Sequence, residues 1–184
     1  MKVKTGISAR HIHLTEEDYN LLFDEPIEIK NYINQPGQFA TTQTVTLING
    51  DRKIENVRMI GPTRPYTQVE LSKTDAHILR IDTPIRMSGD LKDAAEITIK
   101  TEKGEITRKA AITSPRHIHI TPSERKEYDL TKDIYSVKIN GEKGGIMDNV
   151  HISESDKAYY EMHIDTDDAN AFLLHNESEV EIIN

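Results

Sequence analysis

Ser8-Ala9-Arg10-His11-Ile12-His13-Leu14-Thr15 returns 106 residues later as Ser114-Pro115-Arg116-His117-Ile118-His119-Ile120-Thr121, identical at six of eight positions. Self-similarity at long spacing marks a duplicated structural unit and governs how every other motif is read. A second pair of blocks follows. Asn56-Val57-Arg58-Met59 aligns with Asn149-Val150-His151-Ile152, and at the same offset of 93 Val69-Glu70-Leu71, Thr74, Asp75 and Ala76 align with Met162-His163-Ile164, Asp167, Asp168 and Ala169. The fall in offset gives the first half 13 extra residues between the blocks, expected around Gln35-Pro36-Gly37-Gln38.

Outward from the repeats, the local pattern is that of strands. Residues 27–33, 44–48, 68–71, 97–99, 137–139 and 180–183 are short, alternating or β-branched stretches bounded by turn residues. Asn49-Gly50-Asp51 and Asn140-Gly141-Glu142 predict one hairpin turn in each half, because Asn-Gly takes positive φ at little cost. Thr15, with Glu17 and Asp18 in the next turn, predicts a helix start after the first His-Ile-His. Thr121 does the same after the second, with Pro122 at the first helical position and Glu124 at the third. The fold class is therefore mainly β, two tandem repeat-related antiparallel barrels or sandwiches with short helices, joined within 100–113.

Composition narrows the function classes. Of 184 residues 36% are hydrophobic, with seven Tyr and three Phe, enough for packed cores. Thirty-one acidic against 23 basic residues give a net charge of −8, which opposes general nucleic-acid binding and means that an anionic ligand needs a local basic pocket. With no cysteine, any transition metal must be held by imidazole and carboxylate. No apolar run approaches the ~20 residues of a membrane span, and the start lacks the apolar stretch of a signal peptide. The expectation is a cytoplasmic protein bound neither to nucleic acid nor to membrane.

Side chains at i and i+2 of a strand share a face, so His11 with His13, and His117 with His119, can each aim two imidazoles at one ion. A single His-x-His is more often a pair of solvated or hydrogen-bonded histidines on a strand face; two copies at equivalent places point to metal. A catalytic zinc takes three protein ligands and keeps a position open. Glu70 and His163 share one aligned position and are both metal-competent, which makes them the third-ligand candidates. His77, His151 and His175 have no metal-type counterpart and read as surface residues. Arg64, in the loop Gly61-Pro62-Thr63-Arg64-Pro65-Tyr66, can offer a guanidinium fork to a phosphate, and Ser88-Gly89 a hydroxyl with close backbone approach. Arg10 and Arg116 point to the opposite strand face from the adjoining histidine and are expected to bind elsewhere or to pair structurally.

Read with Gly37-Gln38-Phe39-Ala40, Val57-Arg58-Met59-Ile60-Gly61-Pro62, Gln68-Val69-Glu70-Leu71-Ser72, Arg86-Met87-Ser88-Gly89 and the run His163 to Ala171, the two His-Ile-His motifs give a chain that resembles the phosphate propanoyltransferase family, the phosphotransacylases of propanediol-utilising microcompartments. The resemblance covers nearly the whole chain. It implies two β-barrel domains with short capping helices, which the repeat divides over 1–105 and 106–184. It also implies a two-metal site between them, usually zinc, and exchange of coenzyme A and phosphate on a short acyl group such as propanoyl or acetyl. By that resemblance Glu70, His117 and His119 hold one divalent ion, His11, His13 and His163 the other, and Arg64 binds phosphate; Ser88 is a second catalytic candidate. Coenzyme A, acyl-CoA, phosphate and acyl phosphate are the implied partners, and self-association is expected. The segment Tyr128-Asp129-Leu130-Thr131-Lys132-Asp133-Ile134 departs from the family pattern. The first His-Ile-His begins at residue 11, without the extension that directs encapsulation, so a freely cytoplasmic enzyme is expected.

Two other readings compete. His11-x-His13 with Glu17, and His117-x-His119 with Glu124, match the first motif of cupin-like metal enzymes, but no second motif follows and both glutamates suit a helix's first turn. A non-catalytic metal-binding module would need a closed ligand sphere, whereas three ligands per ion leave the sites open.

Overall fold

Ile12 and Ile118, the central residues of the two motifs, are both fully buried. This places the flanking histidines on the strand face turned away from the core. The computed structural model describes residues 1–183. In chain order its elements are β1 (Lys2–Ile7), β2 (His11–His13), α1 (Glu16–Leu22), β3 (Ile29–Tyr32), β4 (Phe39–Asn49), β5 (Arg52–Gly61), β6 (Gln68–Glu70), α2 (Lys73–Leu79), β7 (Ala95–Lys100) and β8 (Glu105–Ile112). There follow β9 (His117–Ile120), α3 (Pro122–Glu127), β10 (Ile134–Ile139), β11 (Gly145–Glu154), β12 (Glu161–Ile164), α4 (Thr166–Phe172) and β13 (Glu179–Ile183).

The strands make two closed six-stranded barrels. One lies within Ala9–Ser114 and runs β4-β5-β2-β6-β8-β7, closing through β7 on β4, with β3 paired to β4 outside the ring. The other is formed by Met1–Ser8 together with Pro115–Asn184 and runs β1-β12-β9-β11-β10-β13. Each has its own core, Leu47, Met59, Ile97 and Ile99 around Ile12 in the first, and Val137, Met147, Val150 and Met162 around Ile118 in the second.

The same sequence of pairings runs round both barrels. β2 lies parallel to β5 and antiparallel to β6, and β6 parallel to β8; β9 lies parallel to β11 and antiparallel to β12, and β12 parallel to β1. Three expectations are thereby corrected. The barrels are mixed rather than antiparallel, because the strand before each His-Ile-His does not form a hairpin with it. β1 joins the C-terminal strands, so the units divide at 8/9 and 114/115 instead of at 105/106. The supposed linker within 100–113 is the β7–β8 hairpin, whose polar turn at 101–104 hides a strand that buries Ile106, Ala110, Ala111 and Ile112. The extra residues of the first half fall in 23–40 and hold β3 and the positive-φ turn at Gly37.

Local chemistry agrees with the elements. Thr15, Ser72, Thr121 and Asp165 cap the four helices, each side chain accepting the N–H three residues on, and Glu124 completes a capping box with Thr121. Arg10 bonds Asp75 at 3.0 Å and Arg116 grips Asp168 at 2.7 and 2.9 Å, tying each motif's leading residue to the helix after β6 or β12. Arg80 and Leu173 end α2 and α4 with φ of 54° and 53°, a region that costs a side chain ~1–2 kcal/mol. Leu173 is half exposed and loses little packing when removed. Leu173→Gly is therefore expected to raise stability by ~0.5–1 kcal/mol, the relief exceeding glycine's entropy in the unfolded chain. Urea titration of the two proteins checks this, and a lowered midpoint would refute it. No helix among the described residues is long and apolar enough to cross a membrane.

Candidate functional site

Antiparallel pairing of β2 with β6 sets Glu70 directly opposite His11, and pairing of β9 with β12 sets His163 opposite His117. The six candidate ligands accordingly gather as two triads, His11-His13-Glu70 in one barrel and His117-His119-His163 in the other, with the ligand atoms of each within 4.8 Å of one another. The grouping differs from the exchange of third ligands that the resemblance implies: each third ligand lies on the strand hydrogen-bonded to its own His-Ile-His. His77 and His175 are exposed and His151 half-buried, all outside the triads.

The imidazoles are oriented by the backbone. Nδ1 of His11 lies 2.8 Å from the Ala9 carbonyl, Nδ1 of His13 3.0 Å from the Ile60 carbonyl, and Nδ1 of His117 2.7 Å from the Pro115 carbonyl. A carbonyl only accepts, so each Nδ1 carries the proton and Nε2 keeps a lone pair for an ion. Burial, then the neighbouring His11 and the Arg64 charge, hold His13 well below the usual imidazole pKa and so neutral at pH 7. Nε2 of His117 and Nε2 of His119 are 3.1 Å apart, and Nε2 of His11 is 3.7 Å from Oε1 of Glu70. Tetrahedral zinc with bonds of ~2.0–2.2 Å sets neighbouring ligand atoms about 3.3 Å apart. Both triads fit a divalent ion in donor type, with the ligand atoms of each within 4.8 Å of one another.

Arg64 stands beside the first triad. Its backbone N–H donates to the Leu14 carbonyl at 2.8 Å, pinning the loop to the end of the motif. Its guanidinium donates to Ser88 Oγ at 3.0 Å and Gln38 Oε1 at 3.1 Å, both neutral groups, and among the described residues no carboxylate pairs with it. Its charge is therefore available to an anion. Ser88 also accepts from Gln68 Nε2 at 2.9 Å, and Gln68 Nε2 donates to Glu70 Oε1 at 2.7 Å, so one hydrogen-bonded chain runs from Arg64 to Glu70. Gly89 (φ 92°) supplies a backbone N–H to Gln68 at 2.7 Å. Gln38 comes from the segment peculiar to the first half, and Gln68 and Glu161 from the aligned position two residues before Glu70 and His163. These three were missed in the sequence, although the constant offset of 93 linking Gln68 to Glu161 was a usable signal. Glu124 is spent on its capping box and Glu17 is exposed, so neither acts as the cupin-like ligand.

The described residues thus form two mixed β-barrels, each with a triad that could hold a metal ion, one of them beside an arginine that no carboxylate neutralises. A family model described as Phosphate propanoyltransferase matches residues 4–175. Proteins named phosphate propanoyltransferase from Shewanella putrefaciens and Citrobacter koseri are 43% and 45% identical over 173 residues, covering 92% of this chain and 82% of theirs. One from Thermotoga maritima is 40% identical over 183 residues, covering 97% of this chain and 87% of its own. The chain belongs to the phosphate propanoyltransferase family.

Proposed function

We propose that this protein exchanges coenzyme A and inorganic phosphate on a short acyl group, propanoyl or acetyl, and that the two triads each hold a divalent ion, zinc foremost. We also read the barrels as two copies of one unit, since pairings, caps and candidate ligands correspond at steady offsets. The observation that carries the activity is the free guanidinium of Arg64 linked through Ser88 and Gln68 to a metal-competent triad. An anion-binding fork beside an open metal position suits phosphate attack on a thioester.

His11, His13 and Glu70 would hold one ion, and His117, His119 and His163 the other. An ion held beside Arg64 would supply positive charge able to polarise a thioester carbonyl and to stabilise a departing thiolate. Arg64 orients phosphate with two parallel N–H donors and offsets its charge against the acyl carbon. A phosphate oxygen bonds to that carbon as the carbon–sulfur bond breaks, and the sulfur leaves as thiolate, giving acyl phosphate and coenzyme A. The reverse reaction uses the same groups. Ser88 accepts two hydrogen bonds and no base among the described residues takes its proton, so it acts as a binding hydroxyl and transfer is direct.

Propanoyl- or acetyl-coenzyme A mixed with the protein should release free thiol only when phosphate is present, and chelator should stop the release. Release independent of phosphate would make the protein a thioester hydrolase. No release from metal-loaded protein would move the reading to a metal-binding module.

A further inference from the structure

The strands that supply the third ligands carry a second polar residue two positions earlier, on the same face, and the two barrels fill that place differently. In the first barrel it is Gln68, fully buried, whose amide donates to the carboxylate of Glu70 at 2.7 Å. In the second it is Glu161, 4% exposed, whose Oε2 lies 2.7 Å from Nε2 of His163. The carboxylate and its neutral partner have traded places along the strand. Each triad is thus accompanied by one carboxylate, carried by the third ligand itself in the first barrel and by that ligand's neighbour in the second.

The neighbouring strand is adapted to the exchange. Gly6 on β1 pairs in register with His163, and a Cβ on Gly6 would stand 2.8 Å from both Cδ and Oε2 of Glu161 and 3.0 Å from Cδ2 of His163. In the first barrel the strand beside Glu70 carries Ile112 at that register position, fully buried. The second barrel does without a side chain where the first has a large one, and the space admits the Glu161 carboxylate.

We propose that Glu161 is a positioning residue of the second triad. Its carboxylate accepts the Nε2 proton of His163, leaving the Nδ1 lone pair to an ion bound with His117 and His119. Carboxylate partners of this kind fix the tautomer and raise the basicity of a ligating imidazole, and removing one costs ~10–100-fold in metal affinity. The inference rests on the two-metal reading above.

Zinc titration against a competing chelator, on the full chain, should show two binding steps. In Glu161→Ala one step is expected to weaken by ~10–100-fold while the other stays, and Glu161→Gln, which keeps an acceptor of the same size without the charge, should recover part of the loss. Ring-nitrogen NMR of the metal-free protein should find the His163 proton on Nε2 in the parent and redistributed in Glu161→Ala; a residue that merely packs would leave that signal in place. Two unchanged steps in both variants, or a parent His163 protonated on Nδ1, would overturn the role of Glu161 while leaving the metal sites intact. A parent that binds no zinc would overturn the metal reading and this inference with it.

Discussion

Arg64→Ala is expected to lower kcat/KM for phosphate by ~10²–10³-fold, about 3–4 kcal/mol of transition-state stabilisation, the scale of losing one preorganised donor to developing charge. The guanidinium is held by Ser88 and Gln38, neutral partners that orient the fork without cancelling its charge, and the loop is tied to Leu14 through its backbone. Alanine leaves that backbone bond in place, so the triad next to it should bind metal as before. Arg64→Lys should recover only part of the rate, because an ammonium restores charge but not two parallel donors. The check is initial-rate kinetics across phosphate concentrations, beside metal content for each variant. A variant with full metal content and unchanged dependence on phosphate would remove Arg64 from the site.

Both His-Ile-His motifs, the candidate third ligands Glu70 and His163, and the turning of Arg10 and Arg116 to the opposite strand face are legible in strand alternation and the repeat. Arg64 and Ser88 stand 24 residues apart in the sequence, and the fold brings their side chains to 3.0 Å. What alternation does not contain is which strands lie side by side. β1 sits in the barrel of the C-terminal half although it precedes the first motif, and β8 in the first barrel although it precedes the second. No local propensity records that choice. The same gap explains the ligand grouping: only the register of β6 on β2 shows that Glu70 faces His11. It also explains why Gln68 and Glu161, polar residues on strands, gave no cue until their neighbours were known. The hairpin at 101–104 was lost for another reason, since its charged turn has the composition of a linker.

Ile118→Ala is expected to destabilise the second barrel by ~2–5 kcal/mol and to loosen its triad at the same time. Ile118 is fully buried between His117 and His119, and its neighbours in register are Ile152 on β11 and Met162 on β12, both part of the same core or packed against it. Truncation removes three carbons from a close-packed interior and leaves a void that β9 can fill only by moving. Movement of β9 carries both imidazoles with it, and the 3.1 Å approach of their Nε2 atoms has no slack to absorb it. Ile118→Val, which removes a single methyl, should cost only ~0.5–1.5 kcal/mol and keep the triad. Urea unfolding of the metal-free variants measures the first effect, and zinc titration of the folded proteins the second. If the alanine variant is as stable as the parent, the motif strand is not anchored by its central residue. If it is destabilised yet binds zinc at full affinity, the imidazoles are held by their carbonyl and carboxylate partners independently of the core.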